Sequence, residues 1–192
     1  MKQNYNEAFL YKVTRPIVTF LFIHLYKPKI SGKENIPKEG RIILAGNHTN
    51  NFDCFLLMSS TKRCIHFLAK DELWKGPKKI FFSHMGLIPV NRRKKDPNSL
   101  FMAKNYLKHE KVIGIFPEGT VSKDGNLLPF KYGAVKMALD TNTKIIPFAI
   151  KGKYKLFSKD LQIIFGKEIS ITKELEKENK KLQNKVKELL RW

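Results

Sequence analysis

A chain of 192 residues with 42% hydrophobic and 11% aromatic side chains can bury one real core, which excludes disorder as a whole-chain state. Its 37 basic against 17 acidic side chains give a net charge of +20, so its partners are expected to be anionic: nucleic acid, an anionic membrane, phosphorylated substrates or acidic carriers. Its two cysteines, Cys54 and Cys64, have no metal-ligand spacing to a histidine, which argues against a zinc site and fits small buried residues in a reducing compartment.

Residues 9–26 (FLYKVTRPIVTFLFIHLY) predict the first helix. Its apolar stretch, 17–25, is too short to cross a bilayer, Lys12 and Arg15 interrupt any longer one, and no small-residue cleavage site follows, so a secretory signal is not expected. Aromatic and aliphatic side chains beside Lys2, Lys12, Arg15, Lys27 and Lys29 suit a helix lying in a membrane interface. Lys27-Pro28-Lys29 and Ser31-Gly32 read as a linker. Residues 41–46 (RIILAG) form a short apolar run that reads as a buried strand, followed by a polar turn at Asn47-His48-Thr49-Asn50. A helix is expected over 51–60, with Phe52, Phe55, Leu56 and Ser59 at helical spacing. Strands follow at 65–69 and 87–90, with a short helix at 78–85 between them.

Asp96 before Pro97 is a helix start with a side-chain cap and proline at the first position. That helix carries Leu100, Phe101, Lys104 and Leu107. Residues 111–116 (KVIGIF) predict a strand, 117–130 a loop, and 133–141 a helix with Val135, Ala138 and Leu139 facing inward. Two further strands are expected at 145–150 and 161–165. Strands alternating with helices predict a single α/β domain over 30–171, with a mixed, largely parallel sheet flanked by helices. Before it lies the membrane-associating segment, 1–29. After it, 172–192 is a charged helix. Its stripe of Leu175, Leu182, Val186 and Leu189 is only about three heptads long, so docking on its own domain is favoured over a coiled coil.

In such a sheet, sites gather where strands end. Four residues separate His48 from Asp53. On a regular helix the two side chains would point to different faces, so they meet only if a turn precedes the helix, and Thr49-Asn50-Asn51 supplies turn chemistry. If they meet, the carboxylate accepts from one imidazole nitrogen and leaves the other free as a base. This spacing alone is weak, arising by chance in about one chain in six of this composition. Other strand ends add weight. Phe116-Pro117-Glu118-Gly119-Thr120 closes one, Gly86-Leu87-Ile88-Pro89-Val90-Asn91-Arg92 another, and Ala69-Lys70-Asp71-Glu72-Leu73 a third.

Together these segments resemble the family of 1-acylglycerol-3-phosphate (lysophosphatidate) acyltransferases. Asn47-His48 with Asp53 is similar to its first block, Gly86 to Arg92 to its second, Phe116 to Thr120 to its third, and Ile146-Pro147-Phe148 to its fourth. Ala69-Lys70 with Glu72-Leu73, and Phe130-Lys131 with Gly133-Ala134, also look like family segments. The resemblance covers about 30–167. Two departures stand out: Val121 where Arg often follows the third block, and Asn50 where Ser is common.

The resemblance implies direct transfer of a fatty acyl group from acyl-coenzyme A or acyl carrier protein to the hydroxyl of 1-acylglycerol-3-phosphate, making phosphatidic acid. His48 would be the base and Asp53 its orienting partner. Lys70, Arg92, Glu118, Gly119, Thr120 and Lys131 would bind substrate, with Lys123 near the place of the missing Arg. The thioester is a co-substrate, and no bound cofactor or metal is expected. Expected partners are this acceptor, the acyl donor and an anionic membrane surface, approached peripherally or monotopically from its cytoplasmic face. Glycerol-3-phosphate or another lysophospholipid is the alternative acceptor. A nucleic-acid-binding module would need aromatics stacked among surface cations or a helix-turn-helix pattern. The aromatics instead fall in predicted strands and the first helix, so no nucleic acid partner is expected.

Overall fold

Seven strands, β1 (Lys29–Ser31), β2 (Ile42–Gly46), β3 (Ile65–Lys70), β4 (Ile88–Val90), β5 (Val112–Ile115), β6 (Ile145–Lys151) and β7 (Gln162–Phe165), line up as β1-β7-β6-β2-β5-β3-β4 in the computed structural model, which describes residues 8–76, 78–91 and 96–192. β2 runs parallel to β5 and β6, β3 parallel to β5 and β4, and β1 parallel to β7. Among the described strands, β6 and β7 pair antiparallel, and an isolated antiparallel bridge joins Ile145 to Ile169. The sheet is therefore mixed and largely parallel, as the alternation of elements predicts.

Six helices cover it: α1 (Phe9–Tyr26), α2 (Asp53–Ser60), α3 (Lys78–His84), α4 (Pro97–Lys108), α5 (Gly133–Thr141) and α6 (Leu175–Leu190). Side chains alternate along each strand, so β2 sends Ile42 and Leu44 to one face and Ile43 and Ala45 to the other. The first pair joins Phe22 of α1, Leu56 and Leu57 of α2, and Phe148. The second joins Ala103 and Leu107 of α4, Val135 and Met137 of α5, and Leu182 and Val186 of α6. A strand covered on both faces must be apolar on both, which is why 41–46 reads as an unbroken apolar run.

Several local expectations hold in detail. Asp96 caps α4 by accepting from Asn98 N and Ser99 N, both at 3.1 Å. α6 docks through Leu182 and Val186, each with no exposed surface. No helix among the described residues is long and apolar enough to cross a membrane.

The faces and one edge differ. Lys29–Ser31 is not a linker but β1, laid beside β7 with Ile30 opposite Ile163. Three residues are too few to show a period, and only the free edge of β7 makes them a strand. Phe52 and Phe55 are 43% and 37% exposed, because α2 begins only at Asp53 and buries Leu56 and Leu57 between the sheet and α1. Phe101 is likewise 61% exposed, with Ala103 and Tyr106 taking the inner face of α4. In α5, Leu139 is half-buried and Met137 fills the core.

Truncating the docked stripe tests whether α6 belongs to the fold. Leu182→Ala should lower the unfolding free energy by about 2–5 kcal/mol in urea titration, the usual cost of emptying a filled core position. An unchanged midpoint would mean that α6 contributes little.

Candidate active site

β2 ends where the chain has to turn closely past β6. A Cβ on Gly46 would lie 2.3 Å from the Phe148 carbonyl oxygen, so only glycine fits. The next residue, Asn47, continues the ladder with its side chain: its Nδ2 donates to Ile150 O and its Oδ1 accepts from Ile150 N, both at 2.8 Å. Asn47 thereby fixes the exit direction of the chain just before His48.

The His48 to Asp53 segment is the turn that the spacing requires. Asp53 N donates to Asn50 O at 3.0 Å and α2 starts there. The Asp53 carboxylate has no exposed surface and faces back into the turn. Its Oδ2 accepts from His48 Nδ1 at 2.8 Å, Thr49 N at 2.6 Å and Asn50 N at 2.9 Å. Its Oδ1 accepts from Thr49 Oγ1 at 3.1 Å and from the Tyr154 hydroxyl. Five donors converge on one buried carboxylate, an arrangement suited to the ionised form, which only accepts. Because Asp53 must accept, the His48 proton belongs on Nδ1 and the lone pair on Nε2. Nε2 makes no hydrogen bond among the described residues. The imidazole is clamped from the side by Phe116, whose ring stacks at 4.1 Å and 12°.

A second buried carboxylate holds the same loop from the β5 side. Glu118 is only 4% exposed; its Oε1 accepts from His48 N at 3.0 Å and its Oε2 from Leu128 N at 3.4 Å. Ser122 N donates to His48 O at 2.8 Å, so both backbone groups of His48 are pinned by the 117–130 loop. Burial pushes the Glu118 carboxyl above the usual range, and the two backbone N–H groups offset part of that rise. Gly119 turns at φ 73°, and a Cβ there would come 2.8 Å from Lys131 Nζ, which places that ammonium over the turn. Thr120 is exposed beside it.

Of the remaining candidate residues, Lys70 is exposed at the end of β3, in register with Val90 of β4. This register brings the Lys70 strand end next to the segment leading to Arg92. Arg92 itself lies outside the described residues. Val121 is half-buried and Lys123 exposed.

Tyr154 did not emerge from the sequence. It lies beyond the end of β6, 101 positions from Asp53, and burial together with the Asp53 charge holds its hydroxyl firmly in the protonated, donating form. The available signal was its position just past a strand end, as for His48 and Glu118. Tyr154 also anchors an aromatic collar with Phe22, Tyr26 and Phe52 at 5.8–6.2 Å.

Asp53→Asn places amide hydrogens among donors. It should lower the unfolding free energy by about 1.5–3 kcal/mol, measured by urea titration, and equal stability would contradict the five-donor description. Glu118 gives a test with a sign in pH. The folded state holds this proton to higher pH than the unfolded state does, so ionisation costs stability as pH rises above the ordinary glutamate value of about 4.3. Relative to Glu118→Gln, the parent should therefore lose unfolding free energy through the mildly acidic range. A difference that does not vary with pH would contradict the buried, raised carboxyl.

Comparison with known proteins places the chain in a family. The family profile described as Acyltransferase matches residues 27–151, which span the sheet from β1 through β6. The chain is 35% identical over 145 residues to the 1-acyl-sn-glycerol-3-phosphate acyltransferase of Borreliella burgdorferi, covering 74% of this chain and 57% of that one. It is 30% identical over 158 residues to the chloroplastic 1-acyl-sn-glycerol-3-phosphate acyltransferase BAT2 of Brassica napus, covering 79% and 45%. The chain thus spans about half the length of these two relatives. The 1-acyl-sn-glycerol-3-phosphate acyltransferase of Bacillus subtilis is 28% identical over 185 residues, covering 84% and 90%. The crystal structure of the 1-acyl-sn-glycerophosphate acyltransferase of Thermotoga maritima shares the fold, with a TM-score of 0.73 and 23% identity over 93% of this chain and 77% of that one. This chain belongs to the acyltransferase family.

Proposed function

We propose that the chain transfers a fatty acyl group from a thioester donor, acyl-coenzyme A or acyl carrier protein, to the free hydroxyl of 1-acylglycerol-3-phosphate, giving phosphatidic acid. The observation that carries this reading is the His48 Nδ1 to Asp53 Oδ2 hydrogen bond at 2.8 Å, which leaves Nε2 as the base. The acceptor hydroxyl gives its proton to Nε2 as its oxygen forms a bond to the thioester carbonyl carbon. The tetrahedral intermediate then expels the thiolate, which takes the proton from His48. The acceptor is esterified, the donor leaves as a free thiol, and His48 is neutral again. Asp53 balances the imidazolium formed between the two steps. The thioester is the activated species, so the scheme uses no bound cofactor.

Relatives named as 1-acyl-sn-glycerol-3-phosphate acyltransferases support this acceptor over glycerol-3-phosphate. Exposed Phe52 and Phe55 beside Asp53 offer an apolar approach for an acyl chain. Lys70, Arg92 and Lys131 are the cations assigned to the acceptor phosphate, with Lys123 in reserve where Val121 replaces the common Arg. The outer face of α1 supports binding at an anionic membrane surface, since Phe9, Ile17 and Phe20 are 60–74% exposed. We assign the cytoplasmic face of the membrane, since two cysteines, Cys54 and Cys64, in a chain of this size suit a reducing compartment.

Mass-spectrometric assay of the purified protein with lysophosphatidate and glycerol-3-phosphate, each against both donor types, tests the assignment. Phosphatidate formed from lysophosphatidate is expected, and exclusive acylation of glycerol-3-phosphate would move the chain to the other acceptor. His48→Ala should lower turnover by about 10²–10⁴-fold with an unchanged fold, and near-normal turnover would remove His48 as the base. Lys70→Ala and Arg92→Ala should each raise the acceptor's KM by roughly ten- to a hundred-fold while leaving the donor's nearly unchanged. An unchanged acceptor KM in both would place the phosphate elsewhere. Val121→Arg should tighten acceptor binding if the phosphate passes that loop.

A further inference from the structure

The loop between β6 and β7 reads Gly152-Lys153-Tyr154-Lys155-Leu156-Phe157-Ser158-Lys159-Asp160, and the catalytic reading accounts only for Tyr154. Its tip turns two large apolar side chains outward: Leu156 is 54% exposed and Phe157 65%. Phe157 sits at φ 58°, a left-handed conformation unfavourable for a bulky residue. It is kept there by its own N–H, which donates to Leu25 O near the end of α1. Around the tip, Lys153, Lys155 and Lys159 are exposed, and Lys27 Nζ lies 6.0 Å from the centre of the Phe157 ring. A strained turn that displays two apolar side chains within a ring of lysines is built for something outside the chain.

The position of the tip selects its partner. It is bonded at Leu25 to α1, the helix that also exposes Phe20 and Leu21, so an apolar tip ringed by lysines is fastened to a helix with apolar side chains of its own in solvent. Lysine stems can lie along lipid chains with their ammonium groups at anionic phosphates, while Leu and Phe enter the apolar layer. The other end of the loop reaches the catalytic pair. Tyr154, two residues before Leu156, donates to Asp53 and packs against Tyr26 and Phe22 of α1.

We propose that the 152–160 loop is a second lipid contact, in which Leu156 and Phe157 insert into an anionic bilayer beside α1, and that this contact steadies Tyr154 on Asp53. Tyr154 is then a positioning residue that sets the His48–Asp53 pair to work at the lipid surface. The catalytic half rests on the acyltransferase reading; the lipid half does not.

Flotation of the full chain with vesicles of phosphatidylcholine alone, or with added phosphatidylglycerol, tests the contact. The double variant Leu156→Ser, Phe157→Ser should fold normally, since both side chains are exposed. It should bind the anionic vesicles about tenfold more weakly or worse. Equal binding by parent and variant overturns the proposal, as does a loss confined to an acidic acyl carrier protein with vesicle binding intact. The coupling is read without activity: 3-fluorotyrosine at position 154 should change its fluorine resonance when anionic vesicles are added to the parent, but not to the double variant. A resonance unmoved in the parent overturns the coupling. With a working assay, the double variant should keep the parent's rate on a water-soluble short-chain acceptor and lose the stimulation given by vesicles; retained stimulation also counts against the coupling. Absence of acyl transfer from every donor, with the flotation and fluorine results as expected, would locate the failure in the proposed reaction and not in the lipid contact.

Discussion

Everything at this site turns on keeping a buried carboxylate charged. Asp53 has no contact with solvent, and an ion in that position is tolerable only if its oxygens are filled with donors. The fold supplies them from two separate parts of the chain: His48, Thr49 and Asn50 come from the turn that ends β2, and the Tyr154 hydroxyl comes from beyond β6. Satisfying Asp53 therefore sets the conformation of the turn, the tautomer of His48 and the position of a loop far along the sequence. The same contacts that make the charge bearable also leave Nε2 as the free base.

The sheet makes this possible because its parallel strands deliver their C-terminal ends to one edge. β2 brings His48, β5 brings Glu118, β3 brings Lys70, and β6 brings Tyr154. Glu118 binds the backbone of His48 and that of Leu128, so it joins two loops that the Ser122 N–H on His48 O also ties together. α6 extends the chain of support outward: Asn179 Nδ2 donates to Phe130 O at 2.7 Å and Gln183 Nε2 to Leu128 O at 3.0 Å. The charged C-terminal helix is thus tied through the 117–130 loop to the backbone of His48.

Much of this was legible in the sequence, and the rest was hidden for identifiable reasons. The apolar runs of β2, β5 and β6 and the Asp96-Pro97 start of α4 are local signals, and each element forms where those signals place it. The pairing of His48 with Asp53 could be inferred because spacing and turn chemistry together demand it. Side-chain faces were harder. Helical spacing picks out Phe52 and carries Phe101 without saying which side is covered, because which face of a helix is buried depends on what packs on it, and α1 over α2 is a long-range fact. β1 has no local signature beyond the edge that it joins. Tyr154 reaches Asp53 only through the register of β6 against β2, which no short motif encodes. Glu118 was visible as a carboxylate at a strand end, while its two backbone partners were not.

The central claim is that Asp53 fixes His48 as the Nδ1-protonated tautomer with a free Nε2. Long-range proton–nitrogen correlation NMR on protein carrying ¹⁵N-labelled histidine, with His48 assigned by comparison with His48→Gln, reads that tautomer directly at a pH where the ring is neutral. The expected spectrum has His48 Nδ1 at the shift of a protonated nitrogen and Nε2 at that of an unprotonated one. A neutral His48 protonated at Nε2 would contradict the account, because the nitrogen assigned as the base would already carry a proton.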